Sequence, residues 1–110
     1  MKEKSNKNFD YSGEAPINDL ILFCILNIQE KREKATFERL VKECFTSFPK
    51  IFGLAKYPKW PDTRKLDRPL RILRERKLVE GDPKTFFILT HQGSKQAQDF
   101  TKTFCQEKLL

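Results

Sequence analysis

Residues Asp62 to Gly81 read Asp-Thr-Arg-Lys-Leu-Asp-Arg-Pro-Leu-Arg-Ile-Leu-Arg-Glu-Arg-Lys-Leu-Val-Glu-Gly. Leu66, Leu70 and Leu73 recur at the spacing of one helical face. On a wheel of about 100° per residue, Arg64, Arg68 and Arg71 fall on the opposite face. Lys65 and Ile72 lie on one flank and Arg74 on the other. The stretch predicts a helix over 62–77, pinned to a core by leucines and offering guanidinium groups to solvent. Asp62 is its expected cap. Pro69 removes one backbone hydrogen bond, so a kink is expected there. Alternatively the regular helix begins near Pro69 with Asp67 as its cap; the leucine spacing favours the longer form.

Downstream, Leu78-Val79-Glu80 and Thr85 to Leu89 read as two strands around Gly81-Asp82-Pro83-Lys84. Thr90 caps a further helix that runs toward Lys108, with Ala97, Phe100 or Thr101, and Phe104 facing inward. Upstream, Thr36 is a good N-cap for a helix from Phe37 to about Phe48, which Pro49 stops. The segment Leu20 to Leu26 is apolar all round, and Asn18 or Asp19 can cap it as a buried helix reaching about Lys31. A buried strand is the rival for that segment.

Between the second helix and Asp62, prolines 49, 58 and 61 are interleaved with Phe48, Ile51, Phe52, Leu54, Tyr57 and Trp60. Proline argues against a regular element, and the aromatics argue against a disordered linker. The expectation is an ordered loop plugging the core, with Lys50, Lys56 and Lys59 outward; the alternative is a phosphate- or partner-contacting edge. Residues 1–16 are polar and basic, and are expected to form a flexible arm.

The chain has 110 residues, a formal net charge of +7 and 34% charged residues. That length bounds it to one domain with one modest core, here residues 17–110. The positive excess points to a polyanionic partner, nucleic acid or an acidic membrane surface. Cysteines 24, 44 and 105 are widely spaced in apolar surroundings, without a CxxC pair, and His91 is the only histidine. Zinc ligation is therefore not expected, and buried reduced thiols in a cytoplasmic protein are. The run Leu20 to Leu26 is too short to span a bilayer and has no small-residue cleavage site after it, so neither a membrane span nor a secretory signal is expected.

The predicted order is helix, helix, helix, strand, turn, strand, helix: mainly α with a small β-hairpin. Within it stand Leu70-x-x-Leu73, Leu78-Val79 and Phe87-x-Leu89-Thr90-x-x-Gly93. This resembles the winged helix-turn-helix superfamily of prokaryotic-type DNA-binding transcriptional regulators, over roughly residues 17–107. The resemblance implies a winged helix with a three-helix core, a wing hairpin and a C-terminal helix. It also implies that helix 62–77 is the recognition helix in the major groove and that the hairpin turn lies against DNA. The chain departs from the pattern at Lys77, where relatives usually carry glycine. It departs again in the long connection before Asp62, and in the short wing, Gly81 to Lys84, with its one lysine.

Early residues of a recognition helix normally meet bases and later ones meet the backbone. Arg64, Lys65 and Arg68 are thus expected in the groove and Arg71 on a phosphate, while Ile72 can touch a thymine methyl. Arg74 and the wing residue Lys84 complete the expected DNA-binding set. A solvated face laced by Asp67 and Glu75 pairs is the plain alternative. No serine or cysteine stands beside a base, and no glycine-rich phosphate loop exists. An enzyme, a cofactor and a small-molecule ligand are therefore not expected. Sequence-specific binding of double-stranded DNA is the leading expectation. A protein-interaction module within a larger assembly is the second and RNA binding the third. Regulators of this kind bind paired half-sites, so a homodimer is expected, with Phe104, Leu109 and Leu110 as its apolar patch.

Overall fold

The computed structural model describes residues 17–109, with side chains through Phe104. The expected N-terminal arm, Cys105, the Leu109 side chain and Leu110 lie outside the described residues. The first helix, α1 (Ile17–Glu30), has no polar face over its middle: every residue from Leu20 to Leu26 is buried, and so is Ile28. Such a helix must be wrapped on all sides. The expected helix, rather than the rival strand, is what forms.

Its start differs from expectation. Asn18 and Asp19 do not cap it, because the helix is already under way at Ile17. Asp19 instead accepts a hydrogen bond from Gln96 Nε2 at 2.9 Å. Its charge still lies in the first turn, where the helix dipole favours an anion. The C-terminus closes with Arg32 N–H on the Gln29 carbonyl and Glu33 N–H on the Ile28 carbonyl, with Arg32 at φ +62°. That pair of bonds is a Schellman motif built without glycine.

Helix α2 (Phe37–Ser47) begins as the sequence suggests: the Thr36 hydroxyl accepts from Arg39 N–H at 3.1 Å. Leu40 and Cys44 are buried, and Phe37 and Val41 pack beside them. Pro49 ends α2 but also opens a one-turn helix, α3 (Pro49–Phe52), so the expectation of no regular element in this region is corrected. The fixed φ of proline suits the first helical position, where its missing N–H is no loss. Phe48 and Phe52 are buried, and Phe48 meets Phe23 edge-on at 5.9 Å between ring centres.

Helix α4 (Arg64–Glu75) runs through Pro69 and buries Leu66, Leu70 and Leu73. The longer of the two sequence alternatives is the one adopted. The N-cap position is Thr63, which makes no side-chain capping bond; Asp62, the expected cap, stands one residue earlier and takes the Arg64 backbone N–H at 3.1 Å. The helix ends two residues before the expected Lys77, in a second Schellman motif: Leu78 N–H on the Leu73 carbonyl, Lys77 N–H on the Arg74 carbonyl. Lys77 sits at φ +62° and so adopts the left-handed conformation usually left to glycine. Leu78 belongs to this cap rather than to the strand in which it was expected.

Strands β1 (Val79–Gly81) and β2 (Phe87–Leu89) pair antiparallel, Val79 opposite Leu89 and Gly81 opposite Phe87. Strand β1 keeps its expected length but is shifted by one residue, and β2 is shorter than expected because Asp82 organises the turn up to Thr85, its carboxylate accepting from the N–H groups of Lys84 and Thr85. The outer edge of β2 is covered as well. Phe87 N–H reaches the Ala35 carbonyl at 2.9 Å, and Leu89 N–H reaches Gln29 Oε1 at 3.0 Å. An edge satisfied in this way offers no template for another strand.

Helix α5 (His91–Leu109) closes the molecule against α1. Thr90 joins three elements at its start. Its hydroxyl donates to the Lys77 carbonyl at 2.7 Å and accepts from Gly93 N–H at 3.0 Å. Its own N–H donates to the Leu78 carbonyl. A methyl group at Gly93 would lie 1.9 Å from that same carbonyl oxygen, so only glycine fits. The Leu-Thr-x-x-Gly signature is thus a contact between the start of α5 and the end of α4. Phe104, expected at a dimer interface, is 3% exposed and packs on Phe23 and Phe48 within the subunit.

Two substitutions test these joints. Gly93→Ala should cost more than about 2 kcal/mol, because the added methyl meets fixed backbone. Lys77→Gly should raise stability by about 0.5–1 kcal/mol by removing the left-handed penalty. Urea denaturation measures both, and an unaffected Gly93→Ala protein would contradict the seating of α5 on Leu78.

Candidate functional site

The leucine stripe of α4 faces the core, which leaves Arg64, Asp67, Arg68, Arg71 and Glu75 exposed on the other side. The six residues expected to contact DNA from this helix fall into three environments. Arg68 and Arg71 are exposed, and neither has a hydrogen bond or ion pair with the described residues. The alternative of a face laced by Asp67 and Glu75 pairs is not what forms at these two positions.

Arg64 is exposed but shared. Its Nε lies 3.0 Å from Asp62 Oδ1 and its Nη2 3.2 Å from Oδ2. This bidentate contact, with the backbone bond beside it, holds the Asp62 carboxyl below its ordinary range and the Arg64 guanidinium above its own. Arg64 therefore has a defined orientation at the start of the helix.

Two of the expected contacts are turned inward instead. Lys65 is half-buried, and its Nζ donates to the Ile51 carbonyl at 2.7 Å, tying α4 to α3. Arg74 is half-buried as well: its Nη1 donates to the Gly81 carbonyl at 3.3 Å, and its Nε is buried without a hydrogen-bond partner. Both cations sit on the flanks of the wheel, where a long side chain can fold back over neighbouring backbone. They brace the helix rather than extend its free basic surface. Ile72 is half-buried on the same flank as Lys65.

Sequence reasoning missed two exposed cations at the far end of α4, Arg76 and Lys77. The Arg-Glu-Arg-Lys run signalled them; the expectation that the helix continued to Lys77 hid that they lie in the cap. Lys84 is exposed in the hairpin turn, as expected. The cationic groups are thus Arg64, Arg68 and Arg71 along the helix, Arg76 and Lys77 at its end, and Lys84 on the hairpin.

Tyr57 and Trp60 are 66% and 64% exposed, so the plug expected over 48–60 is formed by Phe48 and Phe52, with Ile51 packed beside them. The proline at 58 was the available signal, since it favours a tight turn that holds its ends at the surface.

Other surfaces offer less. An open groove of about 420 Å³ between α1 and α2 is lined by Asn27, Lys31, Arg39, Lys42 and Glu43 among others. Its charges are largely matched: Arg39 contacts Glu33 at 2.6 Å and Glu43 at 2.9 Å, and Lys31 contacts Glu43 at 3.5 Å. Cys24 and Cys44 are buried free thiols, and burial, then the hydrogen bond to Cys44, push the Cys24 thiol well up. A protonated, enclosed thiol is a poor nucleophile. Among the described residues, no cluster of three or more His, Cys, Asp or Glu is placed to hold a metal ion. Nor is any described helix long and apolar enough to cross a membrane.

No protein-family model, curated protein or solved structure matches this chain.

The Asp62–Arg64 pair carries a pH signature. Because the folded-state pKa of Asp62 is lowered, its stabilisation is complete above the ordinary aspartate value of about 4 and is lost as pH falls through the folded value. Asp62→Asn should therefore be less stable than the parent at pH 7, and the two should converge toward pH 2. Urea denaturation across that range measures it, and a gap that stays constant would mean that the carboxylate charge plays no part.

Proposed function

We propose that this chain is a winged-helix domain that binds double-stranded DNA with sequence specificity, as part of transcriptional control, with α4 in the major groove. The observation that carries the reading is that Arg68 and Arg71 are exposed and without a hydrogen bond or ion pair among the described residues, on a helix whose other face is held by three buried leucines. A groove-reading element needs this combination: long guanidinium donors for phosphates and guanine edges, on a backbone that does not yield. Arg64 at the start of the helix is the natural base contact, and Asp62 orients it.

The residues beyond the helix add support. Arg76, Lys77 and Lys84 continue the positive charge through the cap to the hairpin turn, where a wing would meet the DNA backbone. The Ala35 carbonyl on Phe87 joins the hairpin to the α1–α2 connection, so the wing is braced on both sides. The net charge of +7 adds long-range attraction for a polyanion. A protein-interaction module would be favoured by a contiguous exposed apolar patch. Among the described residues the exposed large apolar ones are Tyr57, Trp60 and Ile88, two of them set among lysines. A cytoplasmic location belongs to the same proposal and agrees with the free thiols at Cys24 and Cys44. The proposed homodimer rests on Leu109 and Leu110, which lie outside the described side chains.

Arg68→Ala with Arg71→Ala should leave stability within about 0.5 kcal/mol, since both side chains are exposed and neither has a hydrogen bond or ion pair with the described residues. Affinity for duplex DNA should fall, and the log–log salt slope should shrink by roughly one for each phosphate no longer neutralised. Fluorescence anisotropy with a labelled duplex at several salt concentrations measures both. A folded double variant that binds as the parent does would remove α4 from the interface.

A further inference from the structure

The segment between α3 and α4 is built to display two aromatic rings. Leu54 N–H donates to the Trp60 carbonyl at 2.8 Å and Asp62 N–H to the Phe52 carbonyl, so the chain leaves and returns as a narrow hairpin bridged at Gly53 and Pro61. At its tip Trp60 N–H donates to the Tyr57 carbonyl at 2.9 Å, closing a β-turn with Pro58 at its second position. A turn of this kind brings its first and fourth residues within about 7 Å at Cα. Those residues are Tyr57 and Trp60, both largely exposed. The turn is held against α3: a methyl at Gly53 would lie 2.7 Å from the Pro49 carbonyl and 3.1 Å from that of Pro58. This is a fixed display, with neither ring buried in the core that takes Phe48 and Phe52.

The chemistry around the rings is one-sided. From Pro49 to Pro61 the chain has three lysines, at 50, 56 and 59, and no acidic residue. Lys56 and Lys59 are exposed beside the two aromatics. The next residue, Asp62, is already bound by Arg64. Aromatic faces alternating with cations suit a ligand that carries both flat π-systems and negative charge, which describes unpaired nucleotides. Inside an intact duplex the base faces are stacked on one another and out of reach.

We propose that Tyr57 and Trp60 form a stacking platform for unpaired bases, so that the domain prefers duplex DNA bearing a single-stranded overhang. The inference rests on the DNA-binding reading of α4, into which this loop leads directly. The duplex lies on Arg68 and Arg71, the displaced or overhanging strand passes over the turn, Lys56 and Lys59 meet its phosphates, and one or two of its bases stack on the rings.

Trp60 is the only tryptophan in the chain, so its fluorescence reports on this loop alone. The full chain is titrated with three oligonucleotides: a blunt duplex, the same duplex with a ten-nucleotide 3′ or 5′ thymidine overhang, and the overhang strand alone. Base stacking should quench Trp60 with the overhang duplex and not with the blunt one. The overhang should tighten binding by roughly 5- to 100-fold, the range expected for one stacked base. Trp60→Ala should reduce the overhang duplex to the affinity of the blunt one, whereas Trp60→Phe should keep most of the gain. Both variants alter an exposed side chain, and equal urea midpoints would establish that they are folded. Equal affinity for blunt and overhang duplexes, with no quenching, overturns the platform, leaves the DNA reading of α4 standing and turns the loop toward a protein partner. Failure of the parent protein to bind any of the three oligonucleotides removes the DNA reading itself.

Discussion

The sequence Leu20 to Leu26 has no polar side to turn toward water, and the architecture follows from that constraint. Apart from Cys24, each of these side chains is a large hydrophobe whose burial contributes about 1.5–3 kcal/mol. An exposed ion pair contributes about 0–1 kcal/mol. The exposed Glu33 and Lys31 ends of the network around Arg39 and the buried Glu43 therefore add little to a packing problem already solved by α1. Helices α2, α4 and α5 and strand β2 all lie against that helix. Each contributes one apolar stripe to it, and each is left with one outward face whose composition is free. The charged side of α4 exists because three leucines are enough to hold the helix.

The second constraint is the joint where α4 ends and α5 begins. Thr90, Gly93, Leu78 and Lys77 meet there through three hydrogen bonds and one close approach. The joint fixes the direction in which β1 departs, and Gln29 and Ala35 then fix β2 from the other side. Helix and hairpin are thereby held as a single rigid surface. Lys77 in the left-handed conformation is strained relative to glycine, yet a lysine there extends the cationic strip from the helix toward the hairpin. The same substitution of charge for conformational ease occurs at Arg32, at the end of α1.

Much of this is legible in the residues. The three leucines of α4, the Thr36 and Thr90 caps, the Asp62 start and the hairpin around Asp82 are local signals, and local chemistry decides them. Three of the residues whose roles differ from expectation answer to a group on another element. Asp19 has the look of a cap until Gln96, seventy-seven residues on, supplies a better use for it. Lys65 and Arg74 have the look of free cations on a helical wheel, but the Ile51 and Gly81 carbonyls claim them. Tyr57 and Trp60 carry a polar O–H and N–H that Phe48 and Phe52 lack, and the turn around Pro58 adds to that difference in separating the displayed pair from the buried one. Arg68 and Arg71 are exposed as expected because they lie directly opposite the leucines, beyond the reach of any neighbouring backbone.

In the proposed binding mode, the outer face of α4 and the hairpin turn together form the nucleic-acid surface. Backbone amide chemical shifts, followed by NMR as a short DNA duplex is added to the labelled protein, test it residue by residue. The largest changes should fall on Arg64 to Lys77 and on Asp82 to Thr85, with the groove between α1 and α2 unmoved. Changes concentrated on Lys31, Arg39 and Lys42, with α4 silent, would contradict it.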